Sequence, residues 1–278
     1  MASGPARPLA DAPMNPAHAA VAAIGYLGGA ALMATAAFRA GLGPAGDNPP
    51  LLRAASAQVD RLLRMGLPMV ALVHVGMGSF LAMQAYFGAT FLDGIGPVVG
   101  VGLIRNLAPL LSGFILAGIV AARYVADFRG PIAADPGDPA RRAAGRIAGA
   151  MVAGPILAAW GSAVGIGVGW LVARSMMGVT VPAFFDLFLE MLWARDVAGL
   201  VVKGALFGGV AAVFACHEGL SRHAAAEADA DPDAAGSAAC RAATLAGLAI
   251  LIINGGWFLL IYHAGPAFGP TVLTPPTG

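Results

Sequence analysis

Residues 103–127 read LIRNLAPLLSGFILAGIVAARYVAD. The stretch is apolar almost throughout, yet Arg105 and Asn106 sit near its start, and Arg123 and Asp127 near its end. A soluble core helix of this length carries a polar face, and a lipid-spanning helix keeps an arginine only where the arginine has a partner or a task. The composition decides between the two. The chain has 278 residues, of which 58% are hydrophobic and 11% charged, with a mean hydropathy of +0.77. Soluble domains carry roughly 25% charged residues. Several apolar runs reach the roughly 20 residues that a helix needs to cross a bilayer, and the short alternating segments of a membrane β-barrel are absent. The sequence therefore predicts an all-α integral membrane protein. A net charge of +1 without a basic tract gives no sign of a nucleic-acid partner.

Working outward, residues 98–124 form the second of five expected spans, the others being about 66–87, 147–173, 197–216 and 242–262. Residues 1–17 are Pro/Ala-rich, with no signal-peptide pattern, and are expected to be disordered. Residues 18–38 are long enough to span, but Ala and Gly favour insertion only weakly. They are read as an interfacial helix, with a transmembrane helix as the alternative. Residues 51–64 place Leu51, Leu52, Ala55, Val59, Leu62 and Leu63 at helical spacing, which predicts an amphipathic surface helix feeding the first span. The third span carries Gly161, Gly165 and Gly169 at a spacing that lets helices pack closely. Residues 174–196 read as a loop with a short amphipathic piece, 217–240 as a polar, acidic loop, and 263–278 as an uncharged tail.

Arginines set the orientation. Arg39, Arg53, Arg61 and Arg64 precede the first span, Arg123, Arg129, Arg141, Arg142 and Arg146 border the next loop on that side, and Arg222 and Arg241 lie in the last. The opposite side holds only Arg174 and Arg195. The positive-inside rule puts the N-terminus in the cytoplasm and the C-terminal tail outside. Cys216 and Cys240 then face a reducing compartment and read as free thiols.

No phosphate-binding GxxxxGK[ST] motif occurs, so any ATP would be bound by another chain. His74 lies mid-span, where it could ligate a haem or hydrogen-bond a neighbouring helix. His217 and His223 with Glu218 could hold a metal, though an acidic loop favours a solvated cluster. Asp186, Glu190 and Asp196 read as a solvated face of the outer loop. The polar residues inside apolar spans carry more information: Gln84, Arg105, Asn106, Lys203 and Asn254. A cation deep in a membrane costs about 2.5–3.5 kcal/mol on insertion scales. Arg105 and Lys203 stand at similar depth on different spans. They either snorkel to the surface or share a polar site able to meet an anionic head group.

At these residues the sequence resembles the MlaE/YrbE permeases of ABC transporters that work with MCE-domain proteins. VGMGSFLAMQAYF (75–87) is similar to the family's G-M-x-L-x-L-Q-G-Y segment, with Gln84 at the glutamine. Residues 103–127 resemble its L-L-R-E-L-G-P signature. RDVAGLVVKGALFG (195–208) places Asp196 and Lys203 on the family's Asp and Lys, and ACHEGL (215–220) and AGSAACRAAT (235–244) resemble the two segments that follow. The resemblance covers about residues 50–262. The signature glutamate is Asn106 here, its glycine is Ala108, and FRGPIAADPGDPARR, after Asp127, is shorter than the family's docking segment and holds three prolines.

The resemblance implies a five-helix permease domain over residues 66–262, preceded by interfacial helices over 18–65. It implies a dimer with a second permease subunit in a bacterial inner membrane, a cytoplasmic ABC ATPase that binds the ATP, and an MCE-domain partner outside. The substrate would be phospholipid or another hydrophobic lipid, with Gln84, Arg105, Asn106 and Lys203 as its contacts. Asp127, Arg129, Arg141 and Arg142 would border the loop that couples to the ATPase. The chain would be a transport subunit rather than an enzyme, with no cofactor or metal of its own. The rival expectation is a non-transporting membrane subunit, structural or cofactor-binding through His74.

Overall fold

A computed structural model describes residues 16–41, 49–88, 95–129, 138–221 and 233–263. Every element is helical: α1 (Pro16–Gly41), α2 (Pro49–Gly88), α3 (Ile95–Gly102), a π-helical turn (Leu103–Leu107), α4 (Ala108–Arg129), α5 (Pro139–Met177), α6 (Val181–Met191), α7 (Ala194–Leu220), α8 (Ala234–Trp257) and a second π-helical segment (Phe258–His263). The expected disordered start, the segment after Arg129 and the tail after His263 lie outside the described residues.

The boundaries follow local chemistry. Asp138 caps α5 by accepting from the Ala140 N–H at 3.0 Å, with Pro139 at the first helical position, where its missing N–H goes unnoticed. The helix ends on Gly178, whose φ of +66° places it in the left-handed region that glycine enters without strain. Thr180 caps α6 through the Ala183 N–H at 3.4 Å.

Helix pairs define the bundle. α2 and α5 run parallel, with Ala54 against Gly145 and Gly66 against Leu157. A Cβ on Gly165 would press on Leu103, one on Gly161 would stand 2.6 Å from His74 Cε1, and one on Gly169 would stand 2.5 Å from Val99. The glycine stripe expected in the third span is thus the seat of α2 and α3. α5 and α7 cross antiparallel with Gly154 on the Gly204 carbonyl and Gly208 on the Ala150 carbonyl. α4 lies beside α7, and Arg129 donates to the Ala234 carbonyl at 2.8 Å, which brings the end of α4 to the start of α8. One end of the bundle therefore gathers the starts of α2, α5 and α8 and the ends of α4 and α7; it carries most of the arginines and is called the basic end below.

Two expectations change. Residues 51–64 are not a separate surface helix. They are the first half of α2, a helix of 40 residues. At about 1.5 Å per residue it is about 60 Å long, twice the hydrocarbon thickness. It continues through Pro68, and glycines of α5 pack closely along it. Second, six helices are long and apolar enough to cross a membrane among the described residues, one more than expected, the addition being Ala20–Gly41.

The contacts of α1 give its direction. Tyr26 packs edge-on to His217, with ring centroids 4.7 Å apart, and Gly41 touches Leu51 and Ala144. The α5/α7 register that pairs Ala150 with Gly208 puts Ala144 level with Phe214, one turn from His217. Between Tyr26 and Gly41 the helix advances about 22 Å along its axis while its contacts change depth by about 5 Å. α1 crosses the basic end of the bundle rather than running along it.

Candidate functional site

The polar residues of the apolar spans meet in one place. Pro109 has no N–H, so the carbonyl four residues before it, that of Arg105, loses its helical donor. The chain answers with the π turn at Leu103–Leu107, in which the Ala108 N–H reaches back to Leu103. π turns of this kind widen a helix and often mark functional positions. Lys203, from α7, donates its ammonium to the freed Arg105 carbonyl and to Asn254 Oδ1 at 3.3 Å. Asn254 Nδ2 in turn donates to Asn106 Oδ1 at 2.7 Å.

Arg105 itself is held by Asp196. Its Nε and Nη2 donate to the two carboxylate oxygens at 2.9 Å each. The Tyr262 hydroxyl donates to Oδ1 at 2.7 Å, and the Trp193 N–H donates to Oδ2 at 3.1 Å. Asp196 is the third residue of α7, where a carboxylate caps the N-terminus and meets the positive end of the helix dipole. Its side chain is fully buried, whereas that of Arg105 is 28% exposed. Lys203 is fully buried and has no carboxylate within 4.0 Å among the described residues. The cluster thus sets two cations against one carboxylate.

Of the expected contacts, Arg105, Asn106 and Lys203 converge. Gln84 is exposed on α2, and no hydrogen bond joins it to the cluster. Asp196 corrects the sequence reading, which left it on a solvated face: it is the buried hub of the site. Asp186 and Glu190 do lie exposed. Tyr262 was not singled out, although its spacing of eight from Asn254 puts both on one helix face.

At the basic end, Asp127 pairs with Arg146 at 3.2 Å. Arg129 donates to the carbonyls of Ala234 and Glu218, Glu218 pairs with Arg241 at 3.2 Å, and Arg142 lies over the Phe128 ring. Arg141 is exposed. These contacts tie together the helix ends around the expected coupling loop, whose residues 130–137 lie outside the described residues. His74 is fully buried, and its Nδ1 is 2.7 Å from the Val70 carbonyl. No group of three or more His, Cys, Asp or Glu residues positioned to hold a metal occurs among the described residues. His217 packs on Tyr26 while Glu218 turns to Arg241; His223 lies outside the described residues. Cys216 and Cys240 are free thiols.

Apolar space is lined by chain neighbours of the cluster residues, not by the cluster's polar side chains themselves. A cavity of about 460 Å³ opens beside Ile104, Val197 and Leu200, walled by Ile166, Phe185 and Phe188. A cleft of about 540 Å³ lies between α1, α5 and α7.

A multi-pass helical bundle that buries Asp196 and Lys203 and holds a part-buried Arg105 against them belongs to the membrane proteins that manage charged groups away from water. The family model for the permease MlaE matches residues 55–128 and 138–259, and the chain belongs to the MlaE permease family. It is 28% identical over 186 residues to probable ABC transporter permease proteins of Rickettsia typhi and Rickettsia prowazekii, covering 62% of this chain and 71% of each relative. A probable ABC transporter permease protein of Synechocystis is 26% identical over 169 residues, 55% of this chain and 63% of the relative. The chain is thus an ABC transporter permease subunit, a transport component that works with an ATPase.

Proposed function

We propose that this permease moves a phospholipid or related anionic lipid, and that the Arg105–Asp196–Lys203 cluster receives the head group. The observation that carries the reading is the buried cluster with its excess cation, together with an apolar cavity of about 460 Å³ lined by Ile104 and Val197, the chain neighbours of Arg105 and Asp196. An amphiphile needs both surfaces at once. A soluble ion would not use the apolar wall, and a neutral hydrocarbon would not repay the burial of Lys203.

In this reading the basic end faces the cytoplasm of a bacterial inner membrane, and so does the N-terminus. A partner ATPase binds the ATP and meets the end of α4 and the start of α5 around Asp127, Arg129, Arg141 and Arg142. A second permease subunit completes a dimer, and an MCE-domain protein exchanges lipid on the far side. The permease needs no cofactor of its own. Reconstitution with its ATPase in proteoliposomes tests the proposal. Labelled phospholipid should move on ATP addition, and Lys203→Ala and Arg105→Ala should each reduce the rate while membrane insertion is unchanged. Undiminished transport in both variants refutes the head-group role.

A further inference from the structure

We propose that the cleft between α1, α5 and α7 holds one resident anionic phospholipid, with an acyl chain in the cleft and the phosphate among Arg39, Arg53 and Arg141. The cleft has a volume of about 540 Å³, and its walls are apolar except for Thr35, whose hydroxyl donates to the Leu32 carbonyl at 2.8 Å. It therefore takes hydrocarbon and not a polar group. Its walls on α5 run from Ala144 to Met151, about 10 Å along the helix axis, while one leaflet of hydrocarbon is about 15 Å deep. Ala144 stands near the start of α5, so the cleft occupies the leaflet at the basic end. An unfilled apolar void forfeits the dispersion contacts of its lining, and water finds no polar partners in it. In a bilayer the available filling is an acyl chain.

Charge at one end of the cleft selects the lipid. Gly41 of α1 lies against Leu51 of α2 and Ala144 of α5, and all three residues line the cleft. An arginine stands within one turn of each: Arg39 two residues before Gly41, Arg53 two residues after Leu51, and Arg141 three residues before Ala144. Arg141 also shares a helix face with Ala144 and Ala148, at i+3 and i+7, and so stands one turn beyond the cleft wall toward the basic end. All three arginines are exposed, and no acidic side chain pairs with any of them among the described residues. An exposed guanidinium is well solvated, so the cations alone define no site. Three of them, from three helices, around the end of an apolar cleft are complementary to a phosphodiester attached to an acyl chain. None of the residues of the Arg105 cluster lines this cleft. The inference goes beyond the transport reading and does not depend on it, since a resident lipid need not be the lipid that is moved.

The test is equilibrium binding of radiolabelled dioleoylphosphatidylglycerol and dioleoylphosphatidylcholine to the delipidated full chain in detergent, compared among variants with unchanged melting temperature. The parent should bind the anionic lipid at least about tenfold more tightly than the zwitterionic one. Arg39→Gln, Arg53→Gln and Arg141→Gln should each weaken that binding about fivefold, equivalent to about 1 kcal/mol per arginine near an anionic surface. Binding of phosphatidylcholine should barely change in them. Ala148→Phe, which fills the cleft, should weaken both lipids, and the arginine series decides alone if that variant does not fold. Equal affinity for the two lipids overturns the site, as does a parent that binds neither. So does parent-like binding by the triple arginine variant or by a folded Ala148→Phe, or competition by inorganic phosphate as strong as by the lipid. A benzophenone at Phe38 that crosslinks a second copy of the chain instead of lipid overturns it too, the cleft being then a subunit contact. Lys203→Ala should bind like the parent. If it loses the lipid while the arginine variants keep it, the lipid sits in the Arg105 cluster; this inference then fails and the transport reading stands.

Discussion

Replacing Lys203 by methionine separates what holds the bundle together from what the site does. The side chain is fully buried, and its ammonium has a backbone carbonyl and an asparagine as partners but no carboxylate within 4.0 Å among the described residues. Methionine fills a similar volume without the charge. The variant loses a charge-assisted hydrogen bond, worth about 1.5–3 kcal/mol, and leaves the Arg105 carbonyl without a donor. It also removes the desolvation penalty of an ammonium, still several kcal/mol after relaxation. The second effect is as large as the first or larger. Stability should therefore stay within about 2 kcal/mol of the parent, shifted toward stabilisation. Transport should fall, because the cluster no longer holds an excess cation for an anionic head group. The assay pairs thermal unfolding of the detergent-solubilised protein with ATP-driven lipid transfer in vesicles. A variant that melts far below the parent yet transports at the parent rate would refute the reasoning: Lys203 would then be a structural clamp.

Three further outcomes follow from the same contacts. Asp196→Asn leaves Arg105 without its carboxylate; breaking a buried pair costs about 3–5 kcal/mol, and the partial exposure of Arg105 puts this one near the lower end. Adding Arg105→Gln should restore part of that loss, and a double mutant no more stable than Asp196→Asn alone argues against the pairing. Gly154→Val would drive a side chain into the Gly204 carbonyl at the α5/α7 crossing. Overpacking costs about 1–3 kcal/mol and more against backbone, so the yield of monodisperse protein on size-exclusion chromatography should drop sharply, and parent-like yield contradicts the crossing. For α1, Ala20→Cys and Ala40→Cys in a background lacking Cys216 and Cys240 should react with an impermeant maleimide from the same side of the membrane. Labelling from opposite sides would show that the helix spans.

Much of the fold is legible in the sequence because lipid imposes a coarse rule. Apolar runs of sufficient length mark the second half of α2 and then α4, α5, α7 and α8, and the arginines mark one end. The glycines at 161, 165 and 169 announced a close approach, though not its partners, since helix pairing is long-range information. α1 illustrates the limit: its length and Ala/Gly composition satisfy a span, and only its contacts with His217 and Ala144 give its direction. The join between the surface helix and the first span was hidden by Gly66 and Pro68, which in isolation suggest a break.

In the site, Arg105, Asn106, Lys203 and Asn254 stood out as polar residues in apolar runs, and they meet. Asp196 matched the family's Asp, but its own residue-level reading was of a solvated acid, because it stands at the edge of a loop. Its signal was positional: the third residue of a helix is where a carboxylate folds back to cap. Pro109 carried a second signal, since a proline four residues after Arg105 frees that carbonyl for a donor such as Lys203. Arg195 resembled an ordinary loop arginine until its neighbours proved to be two rings rather than a carboxylate.

The central claim, that a lipid head group is received at this cluster, is tested most directly by photo-crosslinking. A benzophenone side chain in place of Tyr262, in cells grown with radioactive phosphate, samples what stands beside Asp196 and Arg105. Placed at Tyr124 it samples a buried position near the basic end. The account predicts phospholipid label on the permease from position 262, reduced when Lys203→Ala is added, and none from position 124. Equal labelling at the two positions, or label at 262 indifferent to Lys203, would contradict it.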